Sequence, residues 1–532
     1  MLPLKKNKIT RALLGAGALT LMSLSPAQAQ DADGASIIRE RCTACHIDSG
    51  DADKPFSRIS EQRKTPEGWM MTISRMQKLR GAVIPADEKR ALVKYLADNQ
   101  GLAPAETEGL RYVLEKEPNV LESFDPLIQE TCVRCHSGAR IALQRRTEEE
   151  WKWLVHFHMG QQPTAELHAG ARDRDWFGIA LNQVAPKLGQ DYALNTQQWS
   201  QWQAATKQPL NGSWAMSGFL PQKGNFNADV VVTQTDKDHY ELTLNGQYED
   251  GSKLSGSGKA VVYTGYEWRA SVTVDGVKMR QVLAASADGK TLTGRMFERD
   301  ADVMGGPVTA VKANAITKIS PSYIKQGERK LITISGNQLK GSVALGSGVK
   351  VIRVESRDNN HLTVLVEASR SAAVGSRNVQ VGKTSSKAAL AVYDQLARVE
   401  ITPVESIARV GGGGGLIPKQ KSWYRAVGYA AGQDGKPGTA DDLRLGYMPA
   451  TWSLKPFDEI AEHDDDIRYA GTIDSRGIFT PGDAGPNPDR KMSTNNVGNL
   501  AVVGTVQDGQ QTVSAQTHLL VTVQKFVQAL ID

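Results

Sequence analysis

Four cysteines are the residues best suited to chemistry in this sequence of 532 residues, and they form two copies of one pattern. Each copy is Cys-x-x-Cys followed directly by His, as Cys42-Thr43-Ala44-Cys45-His46 and Cys132-Val133-Arg134-Cys135-His136. This pattern is the attachment signature of c-type haem. Its two thiols can each bond a vinyl group on one edge of the haem, and the imidazole of the next residue can then coordinate the iron. We therefore predict two covalent haems c, held by the four cysteines, with His46 and His136 as axial ligands.

Three other uses of these cysteines compete with haem attachment. An exported protein can form disulfides, and a Cys-x-x-Cys pair can also be redox-active or form half of a zinc site. None of these requires a histidine directly after both pairs. The two motifs also contain every cysteine of the sequence, which favours a shared role in haem attachment.

The second axial ligands can be sought in an internal repeat, because the two motifs lie in similar local sequence. Arg63-Lys64-Thr65-Pro66-Glu67-Gly68-Trp69 aligns with Arg145-Arg146-Thr147-Glu148-Glu149-Glu150-Trp151. Each segment is typical of a helix start, with threonine as the N-cap and acidic residues in the first turn. Seven residues after each tryptophan, two turns along the same helix face, come Met76 in the first copy and His158 in the second. Both residue types bind haem iron opposite a histidine, so we predict Met76 and His158 as the second axial ligands.

Neighbouring residues remain alternatives for these two ligands. They are Met70 and Met71 in the first copy, and His156, Met159 and His168 in the second. Any of these side chains could instead belong to the helix core, since methionine readily fills apolar gaps. His156 lies two residues from His158 and points about 200° away around a helix, so the two cannot face one iron together.

The two ligand sets predict an order of reduction potentials. His/Met ligation raises the iron potential relative to other ligand pairs, so the haem with Met76 is expected to be the more oxidising one. Electrons would then pass from the haem at His136 to the haem at His46, unless burial or local charge reverses the order. Two irons with both axial positions filled offer no open site to a substrate, which favours electron relay over peroxide or oxygen chemistry.

The N-terminal segment predicts export. Three lysines precede a short apolar stretch and the small-residue site Ala27-Gln28-Ala29, so residues 1–29 resemble a secretory signal peptide. A membrane anchor is the weaker interpretation, because polar residues interrupt the stretch before it reaches the ~20 apolar residues that a span needs. We expect a mature, soluble chain, which in a Gram-negative bacterium would be periplasmic. Without this segment the formal charge is close to zero, which argues against a nucleic-acid binder.

The rest of the sequence predicts a multidomain protein, with a mainly α haem domain followed by three antiparallel β domains. We expect a dihaem cytochrome c domain over residues 30–208, as two units at about 30–105 and 106–208. Turn pairs such as Asn245-Gly246 and Asp275-Gly276 between alternating strands predict a small barrel or sandwich over residues 209–313. Residues 314–394 resemble an immunoglobulin-like domain of the transcription-factor (TIG) type. Residues 395–532 are predicted to form a C-terminal immunoglobulin-like domain.

Three features of the β region are weaker signals. Residues 411–415 are five consecutive glycines, which favour a mobile loop or linker over close backbone approach to a partner. The segment from Asp434 to Asp442 is rich in carboxylates, but a solvated turn is favoured over a calcium site because no complete EF-hand spacing is present. Four histidines are scattered singly and are assigned no role: His239, His361, His463 and His518.

The haem motifs at Cys42 to His46 and Cys132 to His136, followed by three β domains, resemble the large dihaem α subunit of quinohaemoprotein amine dehydrogenase. The resemblance implies a periplasmic complex that oxidises primary amines to aldehydes and ammonia. It also implies an αβγ heterotrimer, whose other members are a β-propeller subunit and a small subunit that carries cysteine tryptophylquinone. This chain would take electrons from the quinone and pass them to a soluble acceptor such as a blue copper protein or a cytochrome c.

The cysteine count agrees with a quinone on another subunit and electron transfer on this chain. Cysteine tryptophylquinone needs a cysteine bonded to a modified tryptophan, and the haem motifs use every cysteine of this sequence. We therefore expect no catalytic residue in this chain, and we also expect no membrane span and no bound nucleic acid. Two other functions remain open: a dihaem peroxidase, which must free one iron, and a cell-surface binding protein that uses its β domains for adhesion.

We predict that the exported chain carries two covalently bound haems. Thioether bonds survive denaturation, so the mass of the unfolded chain should exceed that of the bare polypeptide by two haem groups. A double variant, Cys132→Ser with Cys135→Ser, should lose one addition and keep the other. Mass spectrometry that finds only bare polypeptide would contradict the assignment.

Overall fold

The computed structural model describes residues 34–167, 174–413, 417–432, 434–490 and 495–524. The predicted signal peptide, residues 1–29, lies outside these residues. No helix in the described ranges has both the length and the apolar character needed to cross a bilayer. The described chain consists of a helical region followed by a longer region of β-strands.

The helical region begins with a unit built around the first haem motif. Its elements are α1 (Gly34–Arg41), β1 (Gln62–Lys64), α2 (Pro66–Arg80) and α3 (Ala86–Asn99). Thr65 caps α2 by accepting a hydrogen bond from the Gly68 N–H, and Gly81 follows the helix at a φ of 72°. Trp69 and Ile73 of α2 pack with residues of α3 in one buried cluster. The helix start predicted from the sequence is therefore the one observed.

A second unit follows with the same plan. It contains α4 (Pro104–Thr107), α5 (Pro126–Ile128), α6 (Ala139–Ala142), β2 (Gln144–Arg146), α7 (Glu148–Gln161), α8 (Thr164–Leu167), α9 (Trp176–Ile179), α10 (Ala185–Asp191) and α11 (Gln197–Ala204), with a 3₁₀ turn at Arg111–Val113 and π-helical turns at Gln129–Val133 and Ala180–Val184. Thr147 caps α7 by accepting from the Glu150 N–H, as Thr65 caps α2. Trp151, the counterpart of Trp69, is likewise buried.

The two units meet through β1 and β2, which place equivalent residues opposite each other. The strands are antiparallel, with Arg63 opposite Arg145, and these two arginines hold the same place in the repeat. The two indole N–H groups also make equivalent contacts, since Trp69 donates to the carbonyl of Gln100 and Trp151 to that of Tyr192. Self-complementary pairing of this kind means that a local two-fold axis relates the units.

One buried carboxylate ties both units together at this axis. Glu106 lies 2.8 Å from Arg63 and 3.1 Å from Arg145, and all three side chains are buried. The Thr196 hydroxyl and the Ala103 N–H each donate to the same carboxylate at 2.8 Å. Burial alone would raise the pKa of Glu106, but the hydrogen bonds and charge of Arg63, with the charge of Arg145, hold the pKa below its ordinary value. The carboxylate therefore stays ionised between the two arginines.

The strands that follow the helical region form a closed antiparallel barrel of eight. They are β3 (Gly212–Leu220), β4 (Gly224–Asp236), β5 (His239–Tyr248), β6 (Lys253–Tyr263), β7 (Glu267–Val274), β8 (Val277–Ala285), β9 (Thr291–Glu298) and β10 (Ala301–Val311). Each strand pairs with the next, and β10 closes onto β3. Inward side chains such as Trp214, Phe226 and Trp268 fill the interior. Of the two architectures predicted for this domain, the barrel is the one observed.

Ion pairs fasten the barrel to the helical region. Glu67 in the first turn of α2 pairs with Arg269 of β7 at 2.6 Å, and Arg111 pairs with Glu267 of the same strand at 2.7 Å. Although burial opposes its ionisation, the charges of Arg269 and Arg111 lower the pKa of Glu267 to about 2. The helix that carries Met76 is thus fixed against the barrel as well as against α3.

Two further β domains complete the described chain. The first contains β11 (Ala315–Ser320), β12 (Tyr323–Lys325), β13 (Arg329–Asn337), β14 (Val343–Ala344), β15 (Val349–Arg357), β16 (His361–Ala368), β17 (Gly375–Val381) and β18 (Thr384–Tyr393). The second contains β19 (Arg398–Thr402), β20 (Glu405–Arg409), β21 (Ser422–Trp423), β22 (Arg425–Ala430), β23 (Leu443–Met448), β24 (Thr451–Pro456), α12 (Glu459–His463), α13 (Asp466–Tyr469), β25 (Gly471–Ile473), β26 (Ile478–Pro481), β27 (Gly498–Asp508) and β28 (Gln511–Thr522). In each domain the sheets share one apolar cluster.

Most pairings in these two domains are antiparallel, as predicted, but two are parallel. The first domain has sheets in the orders β11-β13-β16-β15 and β12-β18-β17-β14, and β12 runs parallel to β18. In the second domain β20 runs parallel to β28. The cause is the same in both domains. After its first strand the chain crosses from one sheet to the other, where its second strand lies beside the last strand of the domain and runs in the same direction.

The glycine run lies in the last domain. Its residues 411–413 are described, and residues 414 and 415 lie outside the described ranges. The Gly411 carbonyl accepts a hydrogen bond from the Ala484 N–H at 3.1 Å, and a Cβ at Gly411 would lie 2.4 Å from the Pro418 carbonyl carbon. The described part of the run therefore makes its close backbone approach within its own domain.

Replacing Glu106 by Gln should lower the free energy of unfolding of the helical region by about 3 kcal/mol, because two buried arginines lose their counter-charge. Denaturant unfolding followed by tryptophan fluorescence measures the change. Glu108→Gln is the matched control, since Glu108 is an exposed neighbour in the same segment. The control should shift the value by less than about 0.5 kcal/mol.

Acid should remove the stabilisation that the Glu106 carboxylate provides. The pKa of Glu106 is lower in the folded chain than in the unfolded chain, where it is about 4.3. Its contribution is therefore complete above that pH and is lost as the pH falls through the folded value. Between about pH 5 and pH 3 the parent chain should lose stability more steeply than Glu106→Gln. Equal slopes would contradict an ionised Glu106 between the arginines.

Candidate functional site

Both Cys-x-x-Cys-His motifs follow a helical segment at the edge of the apolar cluster of their unit. In the first motif, the His46 N–H closes the turn by donating to the Cys42 carbonyl at 2.9 Å. In the second, the Cys135 N–H donates to the Cys132 carbonyl at 3.4 Å. Cys42 and Cys132 pack against the apolar clusters, whereas Cys45 and Cys135 are exposed. Each motif thus borders the kind of apolar surroundings that a haem requires.

The surroundings of the four cysteines bear on the competing uses of these residues. No disulfide joins any two of them. Burial raises the pKa of Cys42, and burial with the neighbouring Cys135 raises the pKa of Cys132 to about 12. A redox-active pair needs the opposite shift, towards a stable thiolate. Within the described ranges no cluster of three cysteine, histidine or carboxylate side chains could hold a metal ion. The disulfide, redox-pair and zinc alternatives therefore gain no support.

The three candidate histidine ligands share one feature: a backbone carbonyl engages the Nδ1 atom of each. His46 donates to Ser57 at 2.9 Å, His136 to Ser137 at 3.0 Å and His158 to Leu154 at 2.7 Å. A carbonyl oxygen only accepts, so Nδ1 carries the proton and the lone pair of Nε2 is free for a metal. A hydrogen bond of this kind orients the ring and is typical of metal-binding histidines.

The fold brings the rings of His136 and His158 close together. Their ring centroids lie 6.4 Å apart, and the ring planes are inclined by 40°. Because a metal–imidazole bond is about 2 Å long, two rings that bind one metal ion from opposite sides have centroids roughly 6 Å apart. Burial, together with the charges of His136, Arg140 and Arg75, lowers the pKa of His158. That shift favours the neutral imidazole, which is the form that binds metals. These residues therefore fit an iron between them.

The alternatives to His158 are directed elsewhere. His156 is exposed and packs against Phe177, with a centroid distance of 5.4 Å. Met159 packs against the apolar cluster of the unit. His168 lies outside the described ranges. Among the described residues of α7, only the ring of His158 contacts the histidine ring of the second haem motif.

On α2, exposure separates Met76 from its alternatives. Met70 and Met71 are 38% and 39% exposed, and the Met71 sulfur accepts a contact at 3.0 Å from the guanidinium of Arg140 in the second unit. Met76 is partly buried, near the end of the helix. Within the described ranges no hydrogen bond joins Met76 to His46, so their pairing depends on the repeat.

Reasoning from the sequence missed the residues that hold the ligand loops. Glu122 accepts hydrogen bonds from the Ser137 hydroxyl and, at 2.6 Å, from the Gly138 N–H, which fixes the loop after the second haem motif. The Ser57 carbonyl holds the histidine ring of the first motif. None of these residues belongs to a recognisable motif or to the aligned part of the repeat, so no pattern in the sequence identifies them.

The carboxylate-rich segment of the last domain is occupied by its own contacts. Asp434 accepts from the Lys436 N–H at 2.8 Å, and Asp442 accepts from the Gly438 N–H at 2.9 Å. Asp442 also pairs with Arg398. These are the contacts of a turn, and they add no support for a calcium site.

Comparison with protein families connects the helical region and all three β domains to one family. The model described as quinohemoprotein amine dehydrogenase A, alpha subunit, haem binding, matches residues 32–199. Models for domains II, III and IV of the same alpha subunit match residues 207–313, 313–394 and 399–531. No curated protein gives a significant match.

Three of the similar solved structures have low sequence identity and low TM-scores. A redesigned β-barrel, mFAP1, bound to DFHBI is 16% identical with a TM-score of 0.18, over 20% of this chain and 94% of that chain. The mouse clustered PcdhgC3 EC1-3 structure is 11% identical with a TM-score of 0.17, over 56% of this chain and 88% of that chain. Domains 5-6 of the S-layer protein SbsC are 15% identical with a TM-score of 0.16, over 40% and 97%.

The family models provide the assignment, because all four describe successive parts of one subunit and match in chain order. The first of them also identifies the helical region as a haem-binding domain, in agreement with the two motifs. The chain therefore belongs to the family of quinohemoprotein amine dehydrogenase alpha subunits.

Proposed function

We propose that this chain is the dihaem electron-transfer subunit of a periplasmic amine dehydrogenase. In this role it takes electrons from a quinone on a partner subunit, during oxidative deamination of primary amines, and passes them to a soluble acceptor such as a blue copper protein or a cytochrome c. The observation that carries the proposal is the pair of Cys-x-x-Cys-His motifs inside a haem-binding domain of this family. Bound haem supplies one-electron oxidation and reduction.

The residues of this chain attach and ligate two haems c in the proposal. Cys42 with Cys45, and Cys132 with Cys135, form the two attachment pairs. Covalent attachment suits an exported protein, because a loosely held cofactor would be lost.

We assign His136 and His158 as the axial pair of the second haem. Their rings oppose each other, and both have Nδ1 engaged by a carbonyl, which leaves Nε2 for the iron. His46 and Met76 are the proposed pair of the first haem, supported by the repeat and by the exposure of Met70 and Met71. With both axial positions filled, neither iron would be open to peroxide, which favours electron transfer over a dihaem peroxidase.

Catalysis is assigned to a partner. All cysteines of this sequence belong to the haem motifs, so none remains to form cysteine tryptophylquinone. The proposed partners are a β-propeller subunit and a small quinone-bearing subunit, in an αβγ heterotrimer. Permanent interfaces bury about 2,000 Å² or more, and the three β domains offer the surface for them. We also assign the last two β domains to the immunoglobulin-like class, since the sheets of each share one apolar cluster.

Replacing each proposed sixth ligand should affect one haem only. Met76→Ala should abolish the sulfur-to-iron absorption band and lower the reduction potential of the first haem, because methionine ligation raises it. His158→Ala should convert the second haem towards high spin.

Matched controls come from the same helices. Met71→Ala on α2 and His156→Ala on α7 should leave the absorption spectrum unchanged, since both side chains are exposed. If the band survives in Met76→Ala and disappears in Met71→Ala, the alignment of the repeat is wrong.

Addition of a primary amine to the complete complex, without oxygen, should reduce both haems, whereas the isolated chain should stay oxidised. Absorption spectroscopy of the haems measures this directly. Haem reduction by amine in the isolated chain would contradict the assignment of catalysis to a partner subunit. A native protein without partner subunits, retained in a cell-surface fraction, would favour the binding-protein alternative, and a peroxide-reactive iron would favour the peroxidase.

A further inference from the structure

A cluster of cations lies where the two units of the helical region meet, and Arg75 is one of its members. Arg75 precedes Met76 on α2, and its counterpart in the repeat, Phe157, precedes His158 on α7. The Arg75 guanidinium lies over the Phe157 ring, 5.7 Å from the ring centroid. Contact between equivalent residues places this pair at the local two-fold axis, between the two proposed sixth ligands.

The surroundings of Arg75 carry an excess of positive charge. Burial and the charges of neighbouring arginines, Arg75 among them, lower the pKa of Lys64 and of Arg146. Glu150 is the carboxylate that pairs in this cluster, with Arg58 at 2.7 Å and Arg146 at 3.4 Å. One carboxylate leaves this cluster with a net positive charge, and Lys64 and Arg146 within it are buried.

Two of the cations have no carboxylate partner within the described ranges. Arg75 contacts the ring of Phe157, and Arg140 contacts the sulfur of Met71 at 3.0 Å. Lys64 differs from them, since its ammonium already donates to the Thr72 hydroxyl at 2.8 Å. The guanidinium groups of Arg75 and Arg140 are therefore available to an anion. A guanidinium matches a carboxylate in shape and can bind it through two parallel hydrogen bonds.

We propose that Arg75 and Arg140 bind the propionate carboxylates of the haem attached to Cys132 and Cys135. The Arg75 guanidinium lies over the ring of Phe157, which directly precedes His158, and Arg140 follows His136 by four residues. Arg140 comes from the same unit as this haem, whereas Arg75 reaches it from the ligand helix of the other unit. The inference rests on the two-haem assignment of the proposed function and adds to it a binding role for Arg75 and Arg140.

The two positive charges have a consequence for the haem potentials. Reduction removes one positive charge from the iron, so nearby cations favour the reduced form and raise the potential. The bis-histidine haem is expected to have the lower potential of the two. Arg75 and Arg140 therefore raise the potential of the second haem above the value that bis-histidine ligation alone would give it.

The test is a spectroelectrochemical titration of the complete, haem-loaded complex without amine. Arg75→Gln and Arg140→Gln should each shift the reduction equilibrium of the second haem about tenfold towards the oxidised form, or about 59 mV for a one-electron couple. Arg75→Lys should retain most of the parent potential, because it keeps the charge. The second haem is recognised as the one whose spectrum changes in His158→Ala.

Arg80→Gln is the matched control, since Arg80 is an exposed arginine on the same helix. It should leave both potentials unchanged. The proposal is overturned if neither glutamine variant lowers the second potential, if Arg80→Gln lowers it equally, or if Arg75→Lys lowers it as much as Arg75→Gln. If Arg75→Gln does not fold, the potentials of the second haem in Arg140→Gln and Arg75→Lys test the proposal. The titration uses no amine, so it tests only the roles of Arg75 and Arg140. If amine fails to reduce the haems of the complete complex, that result contradicts the proposed function and leaves this inference standing.

Discussion

A single buried carboxylate between two arginines holds the haem domain together. Glu106 lies outside the aligned repeat, yet it pairs with Arg63 from one copy and Arg145 from the other. Duplication of a unit with a buried arginine creates two cations at the junction, and one glutamate from the connecting segment balances both. Since β1 and β2 pair at this junction, the relative positions of α2 and α7, and with them the proposed haem ligands, depend on the same interaction.

Because a local two-fold axis relates the two units, their equivalent positions can be compared one by one. The helix caps, the buried tryptophans and their contacts with backbone carbonyls are repeated. The positions near the axis are not repeated, because Met76 corresponds to His158 and Arg75 to Phe157. The shared residues maintain the helices, and the divergent ones would set ligand type and local charge in the proposed haem sites.

The barrel also contributes to the haem domain. Arg269 holds the first turn of α2 through Glu67, while Glu267 of the same strand pairs with Arg111 in the second unit. These contacts are ionic and partly or wholly buried, so the helical region and the barrel are joined by more than a linker. The other two β domains contribute no residue to the proposed ligand sets.

The sequence by itself determined the features that depend on residues close together in the chain. The attachment motifs span five residues each, the caps of α2 and α7 need three or four, and the barrel strands are separated by short turns. The family resemblance followed from those motifs and from the order of domains. The sequence also placed Met76 and His158 at equivalent positions, but it left their neighbours as alternatives.

Only the tertiary structure decided what depends on distant residues. It set the ring of His158 against that of His136 and turned His156 towards Phe177. It also brought Glu106 between two arginines, placed Arg75 over Phe157, closed the barrel and paired β12 and β20 with the last strands of their domains. The physical reason is that attachment chemistry and helix capping act within one or two turns of chain. Which charged side chains pair, and which strands lie side by side, is fixed only when separate elements pack. These contacts depend on distance in space and not on distance along the chain.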